Sequence, residues 1–142
     1  MHRRGQGGMP PRRRRLRWAL ALALCTAAPL AASAPPPAAE REIQALLAAL
    51  RASPCRFQRN GSWYGAAEAS AHLQRKYDYL RKRELADSAE QFIARGASAS
   101  SASGRAYRVA CPGRPEQDAA AWFGQQLDAL RRHAPAARPA ID

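Results

Sequence analysis

The chain has 142 residues, 23 of them Lys or Arg against 11 Asp or Glu, for a formal net charge of +12. Seven arginines (Arg3, Arg4, Arg12, Arg13, Arg14, Arg15, Arg17) supply most of that excess; residues 35–142 carry 16 basic and 11 acidic side chains, a net +5. With no aromatic-interleaved basic stripe and no reader motif, this excludes nucleic acid as the expected partner. The roughly 108 residues after the first 34 suffice for one domain around one core.

The N-terminal arginines precede an uncharged run from Trp18 to Leu30, closed by Ala32-Ser33-Ala34. A basic start, a short apolar centre and a small-residue end predict a secretory signal over 1–34, cleaved near Ala32 to Ala34. The run falls short of the roughly 20 apolar residues that span a bilayer, so no membrane span is expected in the mature chain. Leu24 disfavours lipid attachment at Cys25, which calls for a small preceding residue. The mature protein is expected in the periplasm or secreted, as a monomer, where disulfides persist.

Residues 35–39, three prolines and two alanines, read as a linker. From Glu40 to Arg51, Ile43, Leu46, Leu47 and Leu50 fall on one helical stripe, ended by Pro54. Cys55 and Phe57 alternate with Arg56 and Gln58 up to Asn60-Gly61, a strong hairpin signal because both residues tolerate positive φ. Trp63 and Tyr64 begin the return strand. A second helix is predicted over 66–84, with Ala69, Leu73, Tyr77 and Leu80 on its buried stripe. Ser88 and Gln91 form a capping-box pair at the start of a short third helix, with Phe92 and Ile93 buried and Gly96 as its stop.

Residues 97–104 are a loop of small residues in which Ser103-Gly104 suits a tight turn. Tyr107, Val109 and Cys111 then alternate as a later strand, broken by Pro112-Gly113. A last helix from about Glu116 carries Phe123, Leu127 and Leu130 on one face, beside Trp122. Residues 134–142 read as a frayed tail. The expected fold class is α+β: one small domain over 40–133, about four helices packed on a short antiparallel sheet made of a hairpin plus one later strand. Cys55 and Cys111 are most simply a disulfide, which would add roughly 4 kcal/mol by closing a long loop. Two free thiols or a metal pair are the alternatives.

The series Cys55-x-Phe57-x-Arg59-Asn60-Gly61, Tyr64, Glu68-Ala69, His72-Leu73, Lys76-Tyr77, Phe92-Ile93, Ser103-Gly104 and Tyr107-x-Val109-x-Cys111 resembles a domain-of-unknown-function family of small exported proteobacterial proteins. The resemblance covers roughly residues 43–130. It implies a signal peptide, a paired-cysteine domain and no established activity.

Candidate chemistry centres on Glu68, His72 and Lys76, which a spacing of four places along one helical face. The carboxylate would fix the imidazole tautomer and the ammonium would lower its pKa; the plain alternative is a solvated salt-bridge row. Arg59 and Asn60 at the hairpin turn, with Ser103 and Tyr107, complete the candidate ligand-binding set. No catalytic residue, metal site or cofactor is assigned. The first reading is a non-enzymatic module binding an envelope component or a partner protein. The second is a small hydrolase or transferase with His72 as general base and Ser103 or Tyr107 as nucleophile or acid. A third, a structural envelope protein, requires a large exposed apolar patch.

Overall fold

The computed structural model describes Gly8 and residues 34–134. The predicted signal therefore lies outside the described residues except for Gly8 and Ala34, and the tail except for Ala134. The described secondary structure, from Pro37 to His133, belongs to one compact unit. It is α+β: four helices on a four-stranded antiparallel sheet of order β2-β1-β3-β4.

Helix α1 runs Pro37–Ala52 and buries Ile43, Leu46, Leu47 and Leu50, the predicted stripe. It begins inside the expected linker, and Ala39 is buried with the core. The reason is that proline at a first helical position has φ already set and lacks an N–H that would have no partner there anyway.

Strands β1 (Arg56–Arg59) and β2 (Ser62–Gly65) pair from Arg56↔Gly65 to Arg59↔Ser62. Between them Asn60 and Gly61 take φ of 49° and 82°, as a two-residue primed turn requires.

Helix α2 (Ala66–Arg81) follows β2 directly and buries Ala69, Leu73, Tyr77 and Leu80. It stops three residues before the expected Glu84. Glu84 takes φ 56°, and the Leu85 and Glu84 amides return to the Leu80 and Arg81 carbonyls, a Schellman closure with glutamate where glycine is usual. Two polar contacts fasten α2 to α1: Ser70 Oγ donates to the Leu47 carbonyl at 2.9 Å, and the Tyr77 hydroxyl donates to the Glu40 carboxylate. Burial first, then that carboxylate, raise the Tyr77 pKa.

Helix α3 (Ala89–Phe92) is capped as predicted, with Ser88 Oγ accepting from the Gln91 amide at 3.1 Å. Gly96 is not its stop. The chain continues as a single π-helical turn, Ile93–Ala97, in which Gly96 is buried. A Cβ there would lie 3.0 Å from the Phe92 ring and 3.1 Å from Leu80, so the glycine serves close packing rather than a left-handed cap.

Strand β3 (Arg108–Ala110) pairs with β1, and β4 (Gln117–Asp118), absent from the sequence reading, pairs with β3. Too short to show a period, β4 is held by Arg108, whose guanidinium reaches Glu116 at 2.6 Å and Asp118 at 2.7 Å. Helix α4 (Ala119–His133) buries Trp122, Phe123 and Leu127. Arg131 ties it to Glu42 of α1 and Glu90 of α3 at 2.7 and 2.6 Å.

Cys55 and Cys111 form a disulfide with Cα atoms 4.1 Å apart. They flank the Arg56↔Ala110 pair, so the bond clamps β1 to β3 in register. By loop-closure entropy over a separation of 56 residues it contributes about 4 kcal/mol. Urea unfolding of the Cys55→Ala/Cys111→Ala protein is expected to show a loss of that order; a loss below about 1 kcal/mol would mean that the ladder holds its register unaided.

Candidate ligand-binding site

Three segments converge at the site. The end of β1 supplies Arg59, α2 supplies Glu68, His72, Arg75 and Lys76, and the segment entering β3 supplies Tyr107. That last segment is itself a small antiparallel turn. Tyr107 N donates to the Ser98 carbonyl at 2.9 Å, Ala99 bridges Ala106, and Ser100 N donates to the Arg105 carbonyl at 2.9 Å. Gly104, at φ 72°, closes it. The predicted small-residue loop is therefore an ordered hairpin that carries Tyr107 into the core, where its ring lies 4.9 Å from that of Phe57.

Tyr107 Oη is the meeting point. It lies 3.2 Å from His72 Nε2 and accepts from Lys76 Nζ at 3.1 Å, while Nζ also donates to the Ala99 carbonyl at 2.9 Å. Arg59 Nη1 reaches His72 Nδ1 at 2.8 Å, and Nη2 donates to Tyr64 Oη at 3.4 Å. The same Nη1 also lies 3.4 Å from His72 Nε2, so the guanidinium is set against both ring nitrogens of the imidazole. The ammonium spends two of its three donors, and Arg59 keeps N–H groups to spare.

The remaining candidates split off from this core. Asn60 bonds the serine hairpin instead, donating to Ser100 Oγ at 3.3 Å and accepting from Ser103 Oγ at 2.6 Å. Ser103 makes no contact with His72 among the described residues. Glu68 borders a dimple of about 30 Å³ with Arg59, His72 and Arg75 but forms no ion pair among the described residues. The salt-bridge-row alternative fails for the same reason, since Lys76 bonds only neutral oxygens.

Residues 37–131 match the family of unknown function DUF5329. The chain belongs to that family. No curated protein and no solved structure matches it. The match spans α1 to the last turn of α4 and so takes in every residue of the cluster.

Tyr64, Arg75, Ser100 and the Ala99 carbonyl were missing from the sequence-derived set. Arg75, three residues after His72, was open to the helical-spacing argument, and Tyr64 to the hairpin register. A backbone carbonyl and one serine among several carry no such signal.

Burial lowers the His72 pKa to about 4, with the Arg59, Lys76 and Arg75 charges acting in the same direction. Burial and then Arg59 lower Lys76 to about 8. Burial raises the Tyr107 pKa against the opposing Arg59 charge. Because the folded His72 pKa is depressed, the unfolded chain takes up that proton first as the solution is acidified. The stabilisation is complete above about pH 6.5 and is lost as pH falls through about 4. His72→Gln is expected to remove this part of the pH dependence of urea unfolding, and the His72 ring to titrate near pH 4 by NMR; a midpoint near 6.5 would contradict the geometry.

Proposed function

We propose that the protein is an exported binding module that recognises an anionic group, in the envelope or on a partner, at Arg59, His72, Lys76 and Tyr107. One observation carries the reading: Arg59 and Lys76 are both partly buried, yet their hydrogen-bond partners are an imidazole, two phenols and a carbonyl, with no carboxylate among them. Desolvated charges facing only neutral acceptors are costly, and an anion offsets that cost with charge-assisted bonds. Arg59 and Arg75 line the dimple at His72 together with Glu68, so cations outnumber carboxylates along it. The disulfide is compatible with an oxidising compartment, and no described helix is long and apolar enough to cross a membrane.

The hydrolase or transferase reading has one contact in its favour, His72 Nε2 to Tyr107 Oη at 3.2 Å. The surroundings of the ring oppose it: Arg59 lies against both ring nitrogens, and burial with the neighbouring positive charges lowers the pKa to about 4, which makes the imidazole a weak base at neutral pH. The dimple at His72 has room for about one water. A structural role resting on an apolar patch has little support either, since the exposed large hydrophobics among the described residues are Tyr79 and Leu85.

Titration with inorganic phosphate at constant ionic strength, followed by NMR and thermal unfolding, tests the proposal. Phosphate is expected to raise the melting temperature of the wild type and to leave Arg59→Gln and Lys76→Met unmoved. Affinity is expected to hold from about pH 6.5 to 7 and to fall as Lys76 loses its proton near pH 8. Unliganded, the charged lysine opposes folding below its depressed pKa, and stability rises as pH climbs from about 8 to 10.5. With allowance for solvent screening of a half-exposed group, Lys76→Met should stabilise the free protein by about 1 kcal/mol at pH 7. Equal phosphate response in wild type and both variants would sink the proposal.

A further inference from the structure

A groove of about 340 Å³ adjoins the buried cluster, bounded by α2 on one side and by the π-helical turn and serine hairpin on the other. Its lining is Arg75, Lys76, Tyr79, Leu80, Arg95 and Ser101. Three cations border it and no carboxylate does; Asp78, the acid nearest in sequence, is engaged by Gln74 at 3.1 Å and Arg81 at 3.5 Å. Arg75 borders both this groove and the dimple at His72, and Lys76 reaches from the groove to Tyr107.

The wall between these charges is apolar. Leu80 and the alkyl stems of the basic side chains form part of it, and Tyr79 stands at its edge, 56% exposed. Arg83 steadies that ring, with its guanidinium carbon 3.6 Å from the ring centroid. Arg95 is anchored by a 2.9 Å bond from Nη1 to the Leu85 carbonyl, leaving its other donors unassigned. A cationic end against a half-buried ammonium, continued by an aromatic and aliphatic wall, is complementary to a ligand with two unlike ends. The volume lies at the lower end of small-molecule pockets, roughly 300–1,000 Å³.

We infer that the groove binds the apolar body of a small amphiphilic anion, a phosphate or carboxylate bearing an aliphatic or aryl group, with the anionic head at Lys76 and Arg59 and with Arg75, which borders both cavities, beside it. The inference rests on the anion-recognition reading and adds the chemistry of the rest of the ligand. Calorimetric titration of the oxidised protein with octyl phosphate, inorganic phosphate and uncharged octyl glucoside tests it. Octyl phosphate is expected to bind at least about ten-fold more tightly than inorganic phosphate, since each buried methylene adds roughly four-fold. Tyr79→Ser, at an exposed position that the fold does not need, removes most of that advantage; Lys76→Met loses both phosphates.

Octyl phosphate binding no tighter than inorganic phosphate overturns the groove inference and leaves the anion reading standing. Octyl glucoside binding as well as octyl phosphate, with inorganic phosphate inert, overturns the anion reading itself. Two outcomes support the proposal and separate the sources of the ligand. Association with phosphatidylglycerol vesicles that Tyr79→Ser abolishes identifies a lipid headgroup, whereas octyl phosphate binding without vesicle association identifies a soluble anion.

Discussion

The antiparallel pairing of β1 with β3 joins segments some fifty residues apart, and the geometry of the candidate site follows from its register. Cys55 and Cys111 clamp one end of the pair, Phe57 stands opposite Val109, and Gln58 opposite Arg108. Tyr107 therefore enters the sheet one position beyond the last β1 partner, level with Arg59. A slip of a single residue would turn Tyr107 away from α2, because alternate side chains face opposite sides of a strand. Helix α2, launched directly from β2, then has little freedom in where it sets His72 and Lys76. The disulfide, the hairpin and the helix start act together on one phenolic oxygen.

That oxygen organises charge as well as geometry. Tyr107 shares a hydrogen bond with the His72 imidazole and accepts one from an ammonium, while a guanidinium lies against the imidazole. Each contact is satisfied, and none neutralises a charge. Elsewhere the same chain pairs its arginines with carboxylates: Arg108 with Glu116 and Asp118, and Arg131 with Glu42 and Glu90. Those pairs are exposed, where an ion pair is worth about 0–1 kcal/mol. Arg59 and Lys76, both partly buried, have no carboxylate partner among the described residues. A domain held together by burial and one disulfide gains nothing in stability from that arrangement, which is why we assign it to binding.

Much of the fold was legible because local rules and tertiary packing agree. The stripes of α1, α2 and α4 are the buried faces, Asn60-Gly61 makes the turn its φ tolerance predicts, and Ser88 caps α3 as its spacing to Gln91 suggests. The departures occur where a residue satisfies two rules. Pro37 suits a linker and a helix start alike. Gly96 suits a helix stop and a close approach alike, and the Phe92 ring 3.0 Å from where its Cβ would stand decides between them. Strand β4 is two residues long, too short for any period to register. The serine loop looked unstructured because its order comes from backbone bonds between residues 98–100 and 105–107, which small side chains do not announce.

By itself, the sequence determined which residues were chemically able to form a site: Arg59, His72, Lys76 and Tyr107 stand out by type, by helical spacing on α2 and by their places in the strands. It also determined that two cysteines were available to cross-link the domain. Only the tertiary structure decided that these four side chains meet, that Asn60 and Ser103 bond each other instead, and that Glu68 stays at the rim without joining His72. The physical reason is range. Helical and strand periods act over a few residues, whereas hydrogen bonds between residues 13 to 35 positions apart depend on how the sheet pairs and how α2 packs across it.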